Sequence, residues 1–267
     1  MLDNLSPVRR RFVLVLASAA MAVVLAVALV VIRHQTSGGV DPVAQDKPGP
    51  VLLVPGYGGS LTSLGVLARA LEADGRDVTL VDLPGDGTGA LDDQAKALDA
   101  AARGALESLG GQSVDVVGYS AGGVVARLWV RSYDGGNLAR RVVTLGSPQH
   151  GTGSAGLAVD LTQETCPAAC VDLAPDSDLL RRLNAGDETP LGPAFVSIWS
   201  STDQVVTPPD SARLEGATNV VLQDVCATGD VSHGDLPATA AVIALVEFEL
   251  ASTPAAEPTR ADCSPAR

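Results

Sequence analysis

Val114-Asp115-Val116-Val117-Gly118-Tyr119-Ser120-Ala121-Gly122-Gly123-Val124-Val125-Ala126-Arg127 is the stretch on which the reading of this chain turns. Its first part is an apolar, β-rich run, and its second part carries small and apolar residues of helical character. Ser120 stands at the junction, with Gly118 and Gly122 two positions to either side. Small residues there let a strand turn sharply into a helix, because no Cβ blocks the close approach of the two backbones. The serine then takes strained backbone angles, and its oxygen stands above the sheet beside the positive end of the helix. A strand leading in and a helix leading out separate this pattern from an ordinary glycine-rich turn.

Outward from this junction the chain alternates. Short β-rich runs are predicted at 51–54, 77–81, 113–117, 141–145, 194–199 and 219–222. Most are continuously apolar, as expected of parallel strands covered on both faces. Between the early ones lie helical patterns. Leu61, Leu64, Leu67, Ala70 and Leu71 form one stripe, with Ser60 as the expected cap and Gly75 as the stop. Segments 89–109, 121–133 and 235–250 read as further helices. The alternation predicts an α/β fold, a mostly parallel central sheet of about six strands with helices on both faces. The stretch 147–193 carries no clear strand and should hold a short helix near 176–184, with irregular structure above the sheet. The catalytic domain is expected over 50–250, followed by a Pro/Ala-rich tail, 251–267, that lies along the surface.

The amino end reads differently. Arg9, Arg10 and Arg11 precede an uncharged apolar run, 12–32, which Arg33 closes. At 1.5 Å rise per residue such a run can span a hydrocarbon core of about 30 Å. It exceeds the roughly 7–15 residues usual in a cleaved signal. Residues 1–33 are therefore expected to be a signal-anchor, or a signal peptide if Ala26-Val27-Ala28 is cut, and 34–49 a linker. The arginines place the N-terminal side in the cytoplasm and the rest outside, anchored to the membrane or secreted. Cysteine usage agrees with export: Cys166, Cys170, Cys226 and Cys263 all follow the apolar run. Four cysteines allow three pairings; we expect Cys166 with Cys170 and Cys226 with Cys263. The first pair would close a local turn, and the second would pin the tail close to His233. The spacings do not fit a zinc site, and no metal is expected. A formal charge of −13 argues against a nucleic-acid partner. The sequence leaves the oligomeric state open.

A serine hydroxyl needs a base to become a nucleophile, and the chain has three histidines. His34 flanks the apolar run. His150 follows a predicted strand, and His233 lies between the last predicted strand and the last helix. Where the nucleophile sits on a strand-to-helix turn of this kind, the chain order is serine, acid, histidine, which selects His233 as base. The acid should follow a late strand, and Asp203 stands just past 194–199, with Asp210 and Asp224 as competitors. An oxyanion needs two backbone donors. The Ala121 N–H is one, and the loop Val54-Pro55-Gly56-Tyr57-Gly58-Gly59-Ser60 offers the Tyr57 N–H as the other. The glycine-rich run 82–89 lacks the Lys-Ser/Thr ending of a phosphate loop and the spacing of a dinucleotide fingerprint; it reads as a plain strand-to-helix connection.

Taken together, Pro55-Gly-Tyr-Gly-Gly, Gly118-Tyr-Ser-Ala-Gly-Gly-Val-Val-Ala-Arg, Leu145-Gly-Ser-Pro-Gln-His-Gly-Thr and Ser200-Ser-Thr-Asp203 resemble the secreted bacterial lipases and esterases of the α/β-hydrolase superfamily, from about residue 50 to 250. Similar small lipases carry His-Gly-x-Gly-Gly in the first loop, where this chain has Pro55; the backbone donors are retained, but the change bears on substrate preference. Similar motifs occur in inositol deacylases. The resemblance implies an ester or lipid substrate, an acyl-enzyme, no cofactor, and Ser120, Asp203 and His233 as triad. An acyltransferase using the same acyl-enzyme, or a non-catalytic module that keeps the fold, stays open at this point.

Overall fold

The computed structural model describes residues 16, 18, 21–25, 39–155, 166–251, 253 and 255–264. It divides into two units, Met1–Val40 and Asp41–Arg267. In the first unit the described residues within 16–25 are helical and exposed. Most of the run 12–32, expected to span a membrane, lies outside the described residues, and no helix among those described is long and apolar enough to cross one.

The second unit is built on six parallel strands: β1 (Val51–Val54), β2 (Val78–Leu80), β3 (Val114–Tyr119), β4 (Ala139–Leu145), β5 (Ala194–Trp199) and β6 (Thr218–Val221). Their order is β2-β1-β3-β4-β5-β6. The helices are α1 (Gly65–Ala73), α2 (Leu91–Leu109), α3 (Ala121–Ser132), α4 (Gly135–Leu138), α5 (Ala168–Asp172), α6 (Asp178–Leu183), α7 (Leu222–Val225) and α8 (Ala240–Ala251). Alternation of side chains along each strand splits the core into two layers. Leu52, Val54, Val116 and Val142 join the cluster of α2 and α3, while Val51, Leu53, Val117 and Val143 join that of α1 and α8. Both faces are buried, which is why the strands read as continuous apolar runs.

The strand order sets the position of the site. From β1 the chain moves to β2 on one side and then returns to β3 on the other, pairing Val54 with Gly118. The loops leaving β1 and β3 therefore diverge at a crevice above the carboxyl ends of the strands, where ligands bind in open α/β sheets. The opposite end is closed by charge. Buried Asp115 accepts hydrogen bonds from Arg140 at 2.7 and 2.9 Å and from Arg76 at 2.5 Å. Arg76 and Arg140 also donate to the carbonyls of Gly49 and Gln45, so this part of the expected linker is docked on the domain.

Several element boundaries differ from the sequence reading. β3 runs two residues further than expected, to Tyr119, because the ladder with β4 continues through Tyr119–Leu145. Ser60 does not cap: its side chain makes no cap hydrogen bond, and a 3₁₀ turn, Leu61–Leu64, precedes α1. The expected helix 235–250 is two pieces. A 3₁₀ segment, His233–Ala238, contains Pro237, and α8 begins only at Ala240. Gly75 takes φ of 81° after α1, as a helix stop should. Within 147–193 no strand is present among the described residues, α6 falls inside the expected 176–184, and α5 is additional. The disulfides are Cys166–Cys170 and Cys226–Cys263. The second draws the tail onto the core layer of α8.

Candidate active site

Ser120 is the residue between β3 and α3, with φ 54° and ψ −124°. It is the single non-glycine residue at positive φ among those described. A side chain rarely holds such angles unless its surroundings enforce them. The enforcement comes from packing. A Cβ on Gly118 would stand 2.5 Å from the Gly123 Cα, and one on Gly122 would run into the carbonyls of Val54 and Pro55. Glycine at both positions lets α3 press against β1 and β3, and Ser120 N–H closes the turn on the Leu145 carbonyl at 2.8 Å.

His233 enters from the 3₁₀ segment before α8. Its Nε2 lies 2.9 Å from Ser120 Oγ and its Nδ1 lies 2.7 Å from Asp203 Oδ2. Asp203 lies four residues past β5, and its Oδ1 accepts the N–H groups of Val205 (2.8 Å) and Val206 (3.0 Å). Burial pushes the pKa of Asp203 up. The hydrogen bond and charge of His233 and the two backbone donors outweigh it and hold the carboxyl below its usual value. One oxygen is thus fixed by the backbone while the other faces the imidazole, a geometry that orients the ring and would stabilise it when charged.

Other features of this arrangement left no signal in the sequence. The Tyr119 hydroxyl donates to the His233 carbonyl at 3.1 Å, and its ring centroid lies 5.2 Å from the imidazole. Burial, with the charges of Asp203 and Asp235, raises the Tyr119 pKa to about 12, so the phenol stays a donor. Gly146, directly after β4, leaves no space for a side chain: a Cβ would stand 2.5 Å from Leu236 Cδ1 and 3.3 Å from both Asp203 Oδ2 and His233 Nδ1.

The loop after β1 is packed against Ser120, since a Cβ on Gly56 would lie 3.0 Å from the Ser120 Cβ. Gly59 N–H turns back to the Gly56 carbonyl at 3.0 Å, and Gly58 N–H donates to Gly87 at 3.2 Å. The run 82–89, read as a plain connection, therefore also buttresses this loop. Tyr57 is 46% exposed, and Ala121 opens α3, where a helix amide has no intrahelical acceptor. Tyr57, Ser120, Cys170, Leu173, Val205 and Val206 are among the residues lining a largely apolar cavity of about 280 Å³.

The remaining candidates lie elsewhere. The His150 ring spans Glu188 Oε1 (2.7 Å) and the Ser211 carbonyl (3.2 Å). Asp210 and Asp224 are exposed, on the 3₁₀ turn Pro209–Ala212 and on α7. Arg127, buried in α3, donates to Gln149, Leu183, Asn184 and Glu188, tying the loop after β4 to the end of α6. Burial lowers its pKa to about 10, against the opposing charge of Glu188.

Comparison with known proteins agrees with this architecture. A family model described as alpha/beta hydrolase fold matches residues 49–165. Among solved structures, Aspergillus fumigatus lipase B is similar at 18% identity and a TM-score of 0.64, covering 78% of this chain and 54% of its own. Bacillus licheniformis lipase BlEst2 in its propeptide form gives 19% and 0.65, covering 83% and 54%. Its mature form gives 20% and 0.57, covering 74% and 89%. The chain thus spans about half the length of the first two. At these identities the likeness is one of fold: the protein has the α/β-hydrolase fold.

Proposed function

We propose that this protein is a serine ester hydrolase, a lipase or carboxylesterase, that works through an acyl-enzyme. The observation that carries the reading is the hydrogen-bonded line Ser120–His233–Asp203, at 2.9 and 2.7 Å, with Ser120 on strained backbone in the wall of an apolar cavity. In this reading His233 Nε2 takes the Ser120 proton as Oγ attacks the ester carbonyl, and returns it to the leaving alcohol. Water then enters by the same route in reverse. The N–H groups of Tyr57 and Ala121 would hold the oxyanion, and Asp203 would keep the imidazole in the right tautomer.

The site of action we place outside the cytoplasm, on acyl esters there. Support comes from the two disulfides, which persist in oxidising compartments, and from the arginine-flanked apolar run. That run would tether the domain to the membrane if uncut.

A fluorophosphonate should label the protein at Ser120, and Ser120→Ala should abolish both labelling and p-nitrophenyl ester turnover while the fold persists. Retention of more than about a tenth of the activity in Ser120→Ala would refute the assignment, given the losses usual for nucleophiles.

A further inference from the structure

Cys170 and Leu173 line the same cavity as Ser120. Cys170 belongs to α5 and Leu173 follows it directly; at five residues, α5 is too short to persist on its own hydrogen bonds. It is held from outside. The Cys166–Cys170 bond crosses its amino end. Ala169 N–H donates to the Thr88 carbonyl at 3.1 Å, and Asp172 Oδ2 accepts from Leu91 N–H at 2.9 Å. The Leu173 carbonyl accepts from Thr152 N–H at 3.1 Å, and the Leu173 side chain is buried in the core.

We propose that the Cys166–Cys170 bond makes α5 and Leu173 a fixed stop for the acyl group, so that the enzyme selects short acyl esters and the disulfide is a specificity determinant. The inference rests on the ester-hydrolase reading above. Pockets for drug-sized ligands measure roughly 300–1,000 Å³, and this one, at about 280 Å³, stands at the small end of that range. A long acyl chain has to displace Leu173, which the bond resists through α5. The hydrogen bonds that fix Asp203 and His233 come from Val205, Val206 and Tyr119. The stop is linked to them through Thr152, which joins the Leu173 carbonyl to the Val205 carbonyl, so turnover of the acetate ester in each variant reports whether the reacting groups keep their places.

The test compares the full chain with Cys166→Ser, which breaks the bond yet keeps the Cys170 sulfur at the cavity, and with Leu173→Ala, which keeps the bond and removes the stop. Two readouts are taken: Ser120 labelling rates with methyl- and decyl-fluorophosphonates, and kcat/KM on p-nitrophenyl acetate, butyrate and decanoate. The parent should favour the short members. Both variants should narrow that preference by about tenfold or more, a size comparable to selection by pocket fit, through faster reaction of the long ones. A preference unchanged in Cys166→Ser, or unchanged in Leu173→Ala, or a parent that favours decyl and decanoate, overturns the proposal. Should Cys166→Ser fail to fold, the folded parent is assayed before and after reduction, with the Cys226→Ser, Cys263→Ser variant treated alike so that only opening of Cys166–Cys170 is scored; an unchanged preference on reduction overturns the proposal. If no probe labels Ser120 in the parent, the hydrolase reading itself falls and takes this proposal with it. Labelling with an unaltered preference removes only the stop.

Discussion

Ser120, His233 and Asp203 differ in what holds them. Ser120 is fixed by backbone, through the turn at positive φ, whereas Asp203 is fixed by two amide donors and His233 by its neighbours on both ring nitrogens. Two histidines stand near polar partners in this domain, but their partners differ in kind. The His233 ring joins a hydroxyl to a carboxylate, the arrangement a proton-transferring base needs. Both nitrogens of His150 face oxygens of a carboxylate and a carbonyl, Glu188 and Ser211, and neither partner is a hydroxyl that a base could activate. His233→Ala should therefore lower kcat by orders of magnitude, with typical contributions of about 10²–10⁴ for a positioned base. His150→Ala should leave kcat within a few-fold. Steady-state kinetics on a p-nitrophenyl ester decides it; the reverse ranking would exclude His233 as base.

The β3–α3 elbow depends on two backbones meeting without side chains between them. A methyl at Gly122 would collide with the carbonyls of Val54 and Pro55, which are backbone and cannot swing away. Gly122→Ala should cost about 1–3 kcal/mol, the usual range for overpacking. It should also lower activity beyond what lost stability explains, because α3 opens on Ala121, the proposed oxyanion donor, directly after Ser120. Urea unfolding together with fluorophosphonate labelling would separate the two effects; an unchanged midpoint would show that the elbow has slack. At the other end of the core, α8 carries a buried carboxyl. Both oxygens of Glu249 lack hydrogen-bond partners among the described residues. Burial pushes its pKa up to about 7, even with the charge of Arg141 pulling down. Between the ordinary glutamate value of about 4.3 and this raised one, the folded chain binds more protons than the unfolded. Stability from this group therefore falls as pH rises through that window and levels off above it. Glu249→Gln should flatten that slope: thermal melts at pH 5 and pH 8 should differ less in the variant than in the parent. Equal differences in the two proteins would place the ionisation elsewhere.

The domain is closed at both ends by long-range ties. Asp115 with Arg76 and Arg140 binds the first residues of the domain beneath the sheet, and Cys226–Cys263 binds the tail beside α8. The latter joins residues 37 positions apart, and its Cys226 precedes His233 on the same loop. In the chain-entropy model a closure of this length stabilises by roughly 3–4 kcal/mol. Cys226→Ser with Cys263→Ser should therefore lower Tm by several degrees, at roughly 2–4 °C per kcal/mol for a domain of this size. Activity should fall as well, because the loop that presents the imidazole loses its tether. Calorimetry and ester turnover on the double variant test both halves; an unchanged Tm would show that the tail is held by packing alone.

Sequence alone determined the local grammar: which segments are strands, that they are parallel, and that Ser120 sits on a glycine-flanked turn into a helix. These are legible because periodicity and turn chemistry act between residues a few positions apart. Boundaries were less legible where contacts from elsewhere decide them. β3 lengthens because β4 pairs with it, and Pro237 breaks a run that reads as one helix. Ser120 and His233 are separated by 113 positions, and chain order could nominate them but not supply their distance. Only the tertiary structure decided that Asp203, rather than Asp210 or Asp224, faces His233. Only it placed Gly146 against that pair and Cys170 and Leu173 in the cavity wall. These depend on how loops at the carboxyl ends of different strands pack over one crevice. That packing is set by volumes and hydrogen bonds shared among distant segments, which no local pattern records.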